Sequence, residues 1–318
     1  MEFFALPLFQ SALALVIVWA FFALACTFLH ETVVQIKYER GKFLYSQLIS
    51  MLDDRPNGIN WGALMYQHGS FDLLSAKIGD RVSSISPGLF AKALVNVVCN
   101  SSQVQLAMGG NGGDLWALLQ KAPSVFRGSD VMDMLRLFIH EAEVAGTTGP
   151  DAIAHVQKGV ADWYTQYESE MTDRYKQLSK KRLFALGMLL ALFINLDSIQ
   201  VFKHLVHNPK ATASIISYYK TNEVLLDTLN GSLKQGDNAR FMELIKQPEY
   251  QAAIRDGLKE KDGTLPFVEP FWFKQPAKYL NGDFTDIILK LIGFLVTGFA
   301  ASLGAPFWFD ILKKAIKK

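Results

Sequence analysis

Asp197 and Lys290 are the two residues of this 318-residue sequence best placed to do chemistry. Each sits in a stretch otherwise made of apolar residues, where an ionisable group costs free energy unless it is paired or wet. Counting from Leu183 at about 1.5 Å per residue puts Asp197 roughly 21 Å along a helix, and Lys290 falls at a comparable depth in a later apolar run. The pattern predicts an Asp197–Lys290 ion pair between two membrane spans; an ion pathway, or both side chains snorkelling to water, are the alternatives. Asn195 adds an amide able to hydrogen-bond between helices.

Other arrangements stop short of a reaction. His204 and His207 share a helical face as metal ligands would, but no third ligand stands at a supporting spacing. In His140-Glu141, Val144 occupies the place where a metalloprotease helix needs its second histidine. The Gly109-Gly110-Asn111-Gly112-Gly113 loop is followed by Asp114 and Leu115, not by the Lys-Ser/Thr pair of a phosphate loop. Asp53 with Asp54, and Glu141 with Glu143, read as a helix end and a solvated face. No serine lies in a nucleophile-elbow context. The sequence therefore predicts no catalytic residue, cofactor, metal or small-molecule substrate. A net charge of +2 gives no electrostatic case for nucleic acid. The two cysteines, Cys26 and Cys99, read as reduced and structural.

The elements that must position Asp197 and Lys290 are apolar runs. The chain is 50% hydrophobic yet 19% charged, with a mean hydropathy of +0.15. That balance suits a few membrane spans carrying water-exposed domains. Phe3–Leu29 is long enough to cross a bilayer and has no Lys or Arg ahead of it, which argues against a cleaved signal peptide. The stretch from Lys180, Lys181 and Arg182 through Leu183–Phe202 reads as a second span, and Ile287–Leu303 as a third. On the third, Gly293, Thr297, Ala301 and Ala305 recur every fourth residue, with Gly298 and Ser302 as a second small-residue row. Small residues so spaced let helix backbones approach, on another span or on a second copy of the chain. Beyond them Pro306, Phe307, Trp308 and Phe309 lead into Lys313 and Lys314 on a helix too short to cross, the pattern of an interfacial anchor.

Basic residues set the orientation. Lys37, Arg40 and Lys42 follow the first span, Lys176 and Lys180–Arg182 precede the second, and Lys313–Lys318 end the chain. Three spans would hold all of them in the cytoplasm. The expected layout is all-α: residues 1–30 a first transmembrane helix with its N-terminus outside, 31–180 a cytoplasmic helical domain, and 181–203 the second span. Residues 204–284 then form a smaller external helical domain, 285–305 the third span, and 306–318 a cytoplasmic amphipathic helix. Within 31–180, apolar spacing predicts a helix continuing out of the first span to Leu52, then helices over 60–76, 87–99, 113–120, 129–145 and 150–180. The Leu265–Phe273 stretch, prolines among aromatics, reads as an interface belt or docking strip.

Trp163-Tyr164, Tyr175-Lys176, Asn195 with Asp197-Ser198, and Leu303-Gly304-Ala305-Pro306-Phe307-Trp308-Phe309-Asp310 together resemble a family of uncharacterised bacterial integral membrane proteins. Thr165, Glu168 and Glu170 depart from the residues that family tends to carry. The resemblance implies a helical protein of a bacterial inner membrane, and no activity. Three functions compete: a membrane-anchored scaffold or interaction protein; a homo-oligomeric channel, sensor or transport component with a wet lumen near Asn195 and Asp197; and a membrane enzyme. The partners expected are the lipid bilayer and other proteins, or a second copy through the third span.

Overall fold

The first apolar run folds as α1, Pro7–Ile36. The computed structural model describes residues 7–69, 82–109, 113–257 and 284–316. The 265–273 strip and residues 110–112 of the glycine loop lie outside them, as do Lys317 and Lys318. Among the described residues the chain is all-α apart from one minimal hairpin, and it divides into two units: residues 1–36 with 177–318, and residues 37–176. The expected border at 180/181 thus falls a few residues earlier, inside a single long helix.

The second unit, residues 37–176, has its own core. Tyr38, in the left-handed region at φ 52°, ends the α1 direction and opens α2, Glu39–Met51, so the helix expected to run unbroken to Leu52 is two. The stop signals Asp53–Gly58 form a turn whose flanks pair as β1, Asp53–Asp54, and β2, Ile59–Asn60. Asn60 then caps α3, Trp61–Tyr66, by accepting the Ala63 N–H at 2.9 Å. There follow α4, Pro87–Cys99, at the expected bounds, the short α5, Ser102–Ala107, which the apolar spacing did not reveal, and α6, Leu115–Val125. Next come α7, Asp130–Val144, capped by Ser129, and α8, Gly149–Ile194, of 46 residues. Leu48, Trp61, Phe90, Leu94, Met132 and Tyr164 are fully buried together. Phe90 and Tyr164 stack with ring centroids 4.0 Å apart, and the Trp61 indole donates to Asp54 at 3.1 Å.

In the first unit, α1 is the central element. Its middle, Ile17–Thr27, is buried almost all round, while Leu8, Val33 and Ile36 near its ends are exposed. The helices packed on it are α9, Ser198–His207, α10, Pro209–Thr221, α12, Asn238–Leu244, and α13, Pro248–Gly257, together with α14, Phe284–Leu303, and α15, Ala305–Ile316. Between α10 and α12 runs α11, Glu223–Lys234, which packs on α15. By length and apolarity α1 and α14 each suffice to cross a membrane, and α8 with α9 makes a third candidate span broken by a 56° bend. The chain is an all-α polytopic membrane protein with two such helices, or three if the bent pair counts as one. The outward face of α14 is wholly apolar over Ile288, Leu291, Ile292, Leu295 and Phe299, as is that of the end of α8 at Leu189 and Phe193.

This packing corrects the expected layout at its carboxyl end. The described part of 204–284 is not a separate external domain; α10, α12 and α13 pack on α1, in one core with the spans. Nor is α15 a free interfacial anchor. Trp308, Phe309 and Leu312 are buried, Phe309 lies 6.4 Å from Tyr219 of α10, and the Trp308 indole donates to Ala300 O at 2.7 Å after the chain reverses at Gly304. Lys313 pairs with Asp227 of α11 at 2.9 Å, and Asp310 with Lys234. These two ion pairs join α11 to α15 side by side. The apolar periodicity of α15 was read correctly; what covers its apolar face is protein.

Candidate functional site at the break in the second span

The apolar run from Leu183 does not continue as one helix. At Ile194 α8 stops, Asn195 takes the left-handed conformation at φ 57°, and Leu196 N–H closes back on Ala191 O at 2.8 Å. This is the geometry that ends helices at glycine or asparagine. Two residues on, the Asp197 carboxylate accepts the N–H groups of Ile199 at 2.8 Å and Gln200 at 3.2 Å, capping α9. One stop signal and one start signal, side by side, make the bend.

At membrane depth the carbonyls freed by such a break need partners within the protein. Thr297 of α14 supplies one, its hydroxyl lying 2.9 Å from Leu196 O and 2.9 Å from its own Gly293 O. Since carbonyls only accept, Thr297 donates there, and Ser198 must be the donor in the 2.7 Å Ser198–Thr297 contact. Ser198 in turn accepts the indole N–H of Trp19 at 2.9 Å. The chain Trp19 to Ser198 to Thr297 to carbonyl has one direction throughout and ties α1, α9 and α14 together.

The small residues of α14 are spent on the same contact. Gly293 faces Asp197 so closely that a methyl group there would overlap the carboxylate, and a methyl on Gly187 of α8 would lie 2.5 Å from Ala301. Gly298 lies against Met188. Of the two partners the sequence left open for this face, a span of the same chain occupies it. Ser302 bonds only to Phe299 O, and Ala305 is buried at the start of α15. Lys290, one turn before Gly293, is buried, attracts Asp197 electrostatically and lies 5.6 Å from the Phe294 ring centroid. Asn195 is 1% exposed and neither atom of its amide has a hydrogen-bond partner among the described residues.

The remaining sequence candidates are dispersed. His207 Nδ1 lies 2.7 Å from Lys203 O, and among the described residues no three His, Cys, Asp or Glu side chains are grouped to hold a metal. Cys26 and Cys99 are both free and buried, and burial pushes the Cys99 thiol up to about 12. Burial and the nearby Glu168 charge raise the Tyr164 phenol above its ordinary range. Of the topology-determining residues, Lys176 pairs with Asp173 at 3.1 Å and Arg40 lies over the Tyr175 ring. Lys180 and Lys181 are exposed.

Sequence reasoning missed one site. Residues 37–176 carry a cavity of about 650 Å3 between β2, α3 and the α4–α5 junction. The amides of Asn60, Gln67, Asn96, Asn100 and Gln103 line it, with His68, Leu64 and Val97, and among the described residues no charged side chain does. His68 Nε2 donates to Asn96 Oδ1 at 3.1 Å, and Asn100 Nδ2 donates to the same oxygen at 2.9 Å. Only the clustering of amides at 96, 100 and 103 on adjoining helices hinted at it.

Comparison with known proteins adds no relative: no family model, no curated protein and no solved structure matches the chain.

Proposed function

We propose that this chain is a membrane-anchored interaction protein of a bacterial inner membrane, residues 1–36 and 177–318 holding it in the bilayer and residues 37–176 meeting its partner. The observation that carries this reading is the contrast between the two units. One exposes continuous apolar faces on α14 and the end of α8, which lipid can cover. The other buries its own core and exposes an uncharged, hydrogen-bonding cavity. The polar residues of the break support the same reading, because Asp197, Ser198 and Thr297 spend their hydrogen bonds on joining helices. The reading assigns no catalytic residue.

Lys37, Arg40 and Lys42 on one flank of the second unit and Lys176 and Lys180–Arg182 on the other support a cytoplasmic unit with the N-terminus outside. The resemblance of Asn195, Asp197-Ser198 and Leu303–Asp310 to bacterial membrane proteins supports the inner membrane. Crosslinking in intact membranes, followed by affinity capture of the full chain, tests the function. A stable heteropartner that is lost when the cavity is altered supports it; capture of the chain alone, as a homo-oligomer, refutes it.

A second reading, a channel or transport component, draws on Asn195. An amide buried without a partner costs about 1–3 kcal/mol by protein mutational measures, and water or a passing solute at the break would remove that cost. Asn195→Cys labelled by a membrane-impermeant thiol reagent as fast as Gln200→Cys favours this reading; labelling no faster than at the lipid-facing Leu189→Cys excludes it.

A further inference from the structure

We propose that the cavity of residues 58–68 and 96–103 binds a short, uncharged stretch of extended polypeptide by its main-chain amides, an assignment that rests on reading the chain as an interaction protein. Among the described residues, the fourteen around the cavity include no Lys, Arg, Asp or Glu. A phosphate, carboxylate or ammonium ligand would enter it without a counter-charge and lose its hydration for nothing in return. Sugars and nucleobases are commonly held on an open aromatic face, and the one aromatic residue in the lining, Trp61, is wholly buried with its indole engaged by Asp54. A lipid chain needs an enclosed apolar tunnel, whereas this open cavity, though more apolar than polar in its exposed lining, is interrupted by the amides and hydroxyls of Gln67, Asn96, Asn100, Ser101, Ser102 and Gln103.

What remains is a ligand with neutral donors and acceptors side by side, and the cavity offers the complementary set. Asn96 Oδ1 is taken by His68 and Asn100, which leaves Asn96 Nδ2 and Asn100 Oδ1 without a protein partner among the described residues. Gln103 accepts from Ser102 through Oε1, and among the described residues neither its Nε2 nor either end of the Gln67 amide has a partner. The cavity therefore offers both donors and acceptors, the set that the N–H and C=O groups of an extended chain require. Because Asn96 is held by two neighbours, its amide is oriented before any ligand arrives, which lowers the ordering cost of binding. Leu64 and Val97 give small apolar contacts between the amides, suited to the side chains of Ala, Val or Ser.

The test uses the full chain in lipid nanodiscs and a short capped peptide of Ala, Ser and Val bearing one photo-leucine. Three comparison probes accompany it: the same peptide with its main-chain nitrogens methylated, and versions carrying Lys or Glu. The result expected is photo-crosslinking confined to residues 58–68 and 96–103, weakened about tenfold or more by methylation, by charge, and by the Asn100→Leu/Gln103→Leu pair, which removes two hydrogen bonds. Leu64→Arg, at an exposed rim position remote from the core, obstructs the cavity and must also abolish capture while leaving thermal unfolding unchanged. Equal capture of the methylated peptide, or crosslinks elsewhere on the chain, overturns the assignment. If protein partners found in membranes persist in the Leu64→Arg chain while peptide capture is absent, the peptide site falls and the interaction reading stands. If neither peptide nor protein partner is captured, both fall.

Discussion

Replacing Gly293 with alanine is the sharpest perturbation of the break. The added methyl would overlap the Asp197 carboxylate, and restoring an ordinary contact requires a shift on the order of 1.5 Å. The carboxylate cannot move that far and keep its bonds to Ile199 N–H at 2.8 Å and Gln200 N–H at 3.2 Å. Loss of a helix cap costs about 0.5–2 kcal/mol, and an overpacked interior another 1–3 kcal/mol. The expected destabilisation is thus about 2–4 kcal/mol, or a fall in Tm of roughly 5–15 °C for a unit of this size. Gly231→Ala is the matched control. That glycine lies in α11 with nothing within 4 Å of the new methyl, so alanine there is expected to stabilise by about 0.5–1 kcal/mol. Thermal unfolding of the two variants in one detergent separates them. Adding Asp197→Ala to Gly293→Ala must recover most of the clash, leaving a coupling energy of about 1 kcal/mol or more. Equal Tm values for Gly293→Ala and Gly231→Ala, or full additivity in the cycle, would refute the account of why glycine stands at 293.

Three further outcomes are expected. Asp227→Cys with Lys313→Cys is bridged by a short bis-maleimide crosslinker in intact membranes, because the native side chains reach each other at 2.9 Å; absence of that crosslink, with each cysteine labelled from an opposite face, restores the layout that separated 204–284 from 306–318. Cys99 resists maleimide in the folded protein at neutral pH and reacts after unfolding. Its neutral thiol, favoured by burial, contributes stability that is full below about 9, where the unfolded chain's cysteine titrates, and is lost as pH rises toward about 12, so a denaturation series flat from pH 9 to 12 contradicts this. Thr297→Val lowers stability by about 1 kcal/mol and changes Trp19 emission, since it removes the acceptor that orients Ser198; unchanged emission with unchanged Tm argues against the hydroxyl chain.

Much of this was legible in the residues. The spans announced themselves by length, and Pro87–Cys99 by its apolar spacing and first-turn proline. The break at Asn195–Asp197 was written in the sequence too, as a residue that tolerates the left-handed conformation followed by a preferred helix cap. It was obscured because depth in the membrane offered those polar residues a competing role. Periodicity could mark Trp308, Phe309 and Leu312 as one apolar face, but could not say whether lipid or α1 covers it, since both are equally apolar. The cavity of 58–68 and 96–103 joins two stretches far apart in sequence, and no local pattern records which distant segments meet. The Asp227–Lys313 pair lay hidden for the same reason.

The contact of α15 with α1 has a consequence for biosynthesis. The opening helix emerges from the ribosome and enters the membrane roughly 270 residues before its chief neighbour exists, which at 5–20 residues per second is about 15–60 seconds of translation. Until then the Trp19 and Phe22 flank of that helix is left to lipid or to insertion factors, and the finished bundle closes only when Trp308 and Phe309 arrive. A nonsense codon anywhere before residue 305 should therefore yield a chain that inserts yet never matures, marking the translated tail as the checkpoint for assembly.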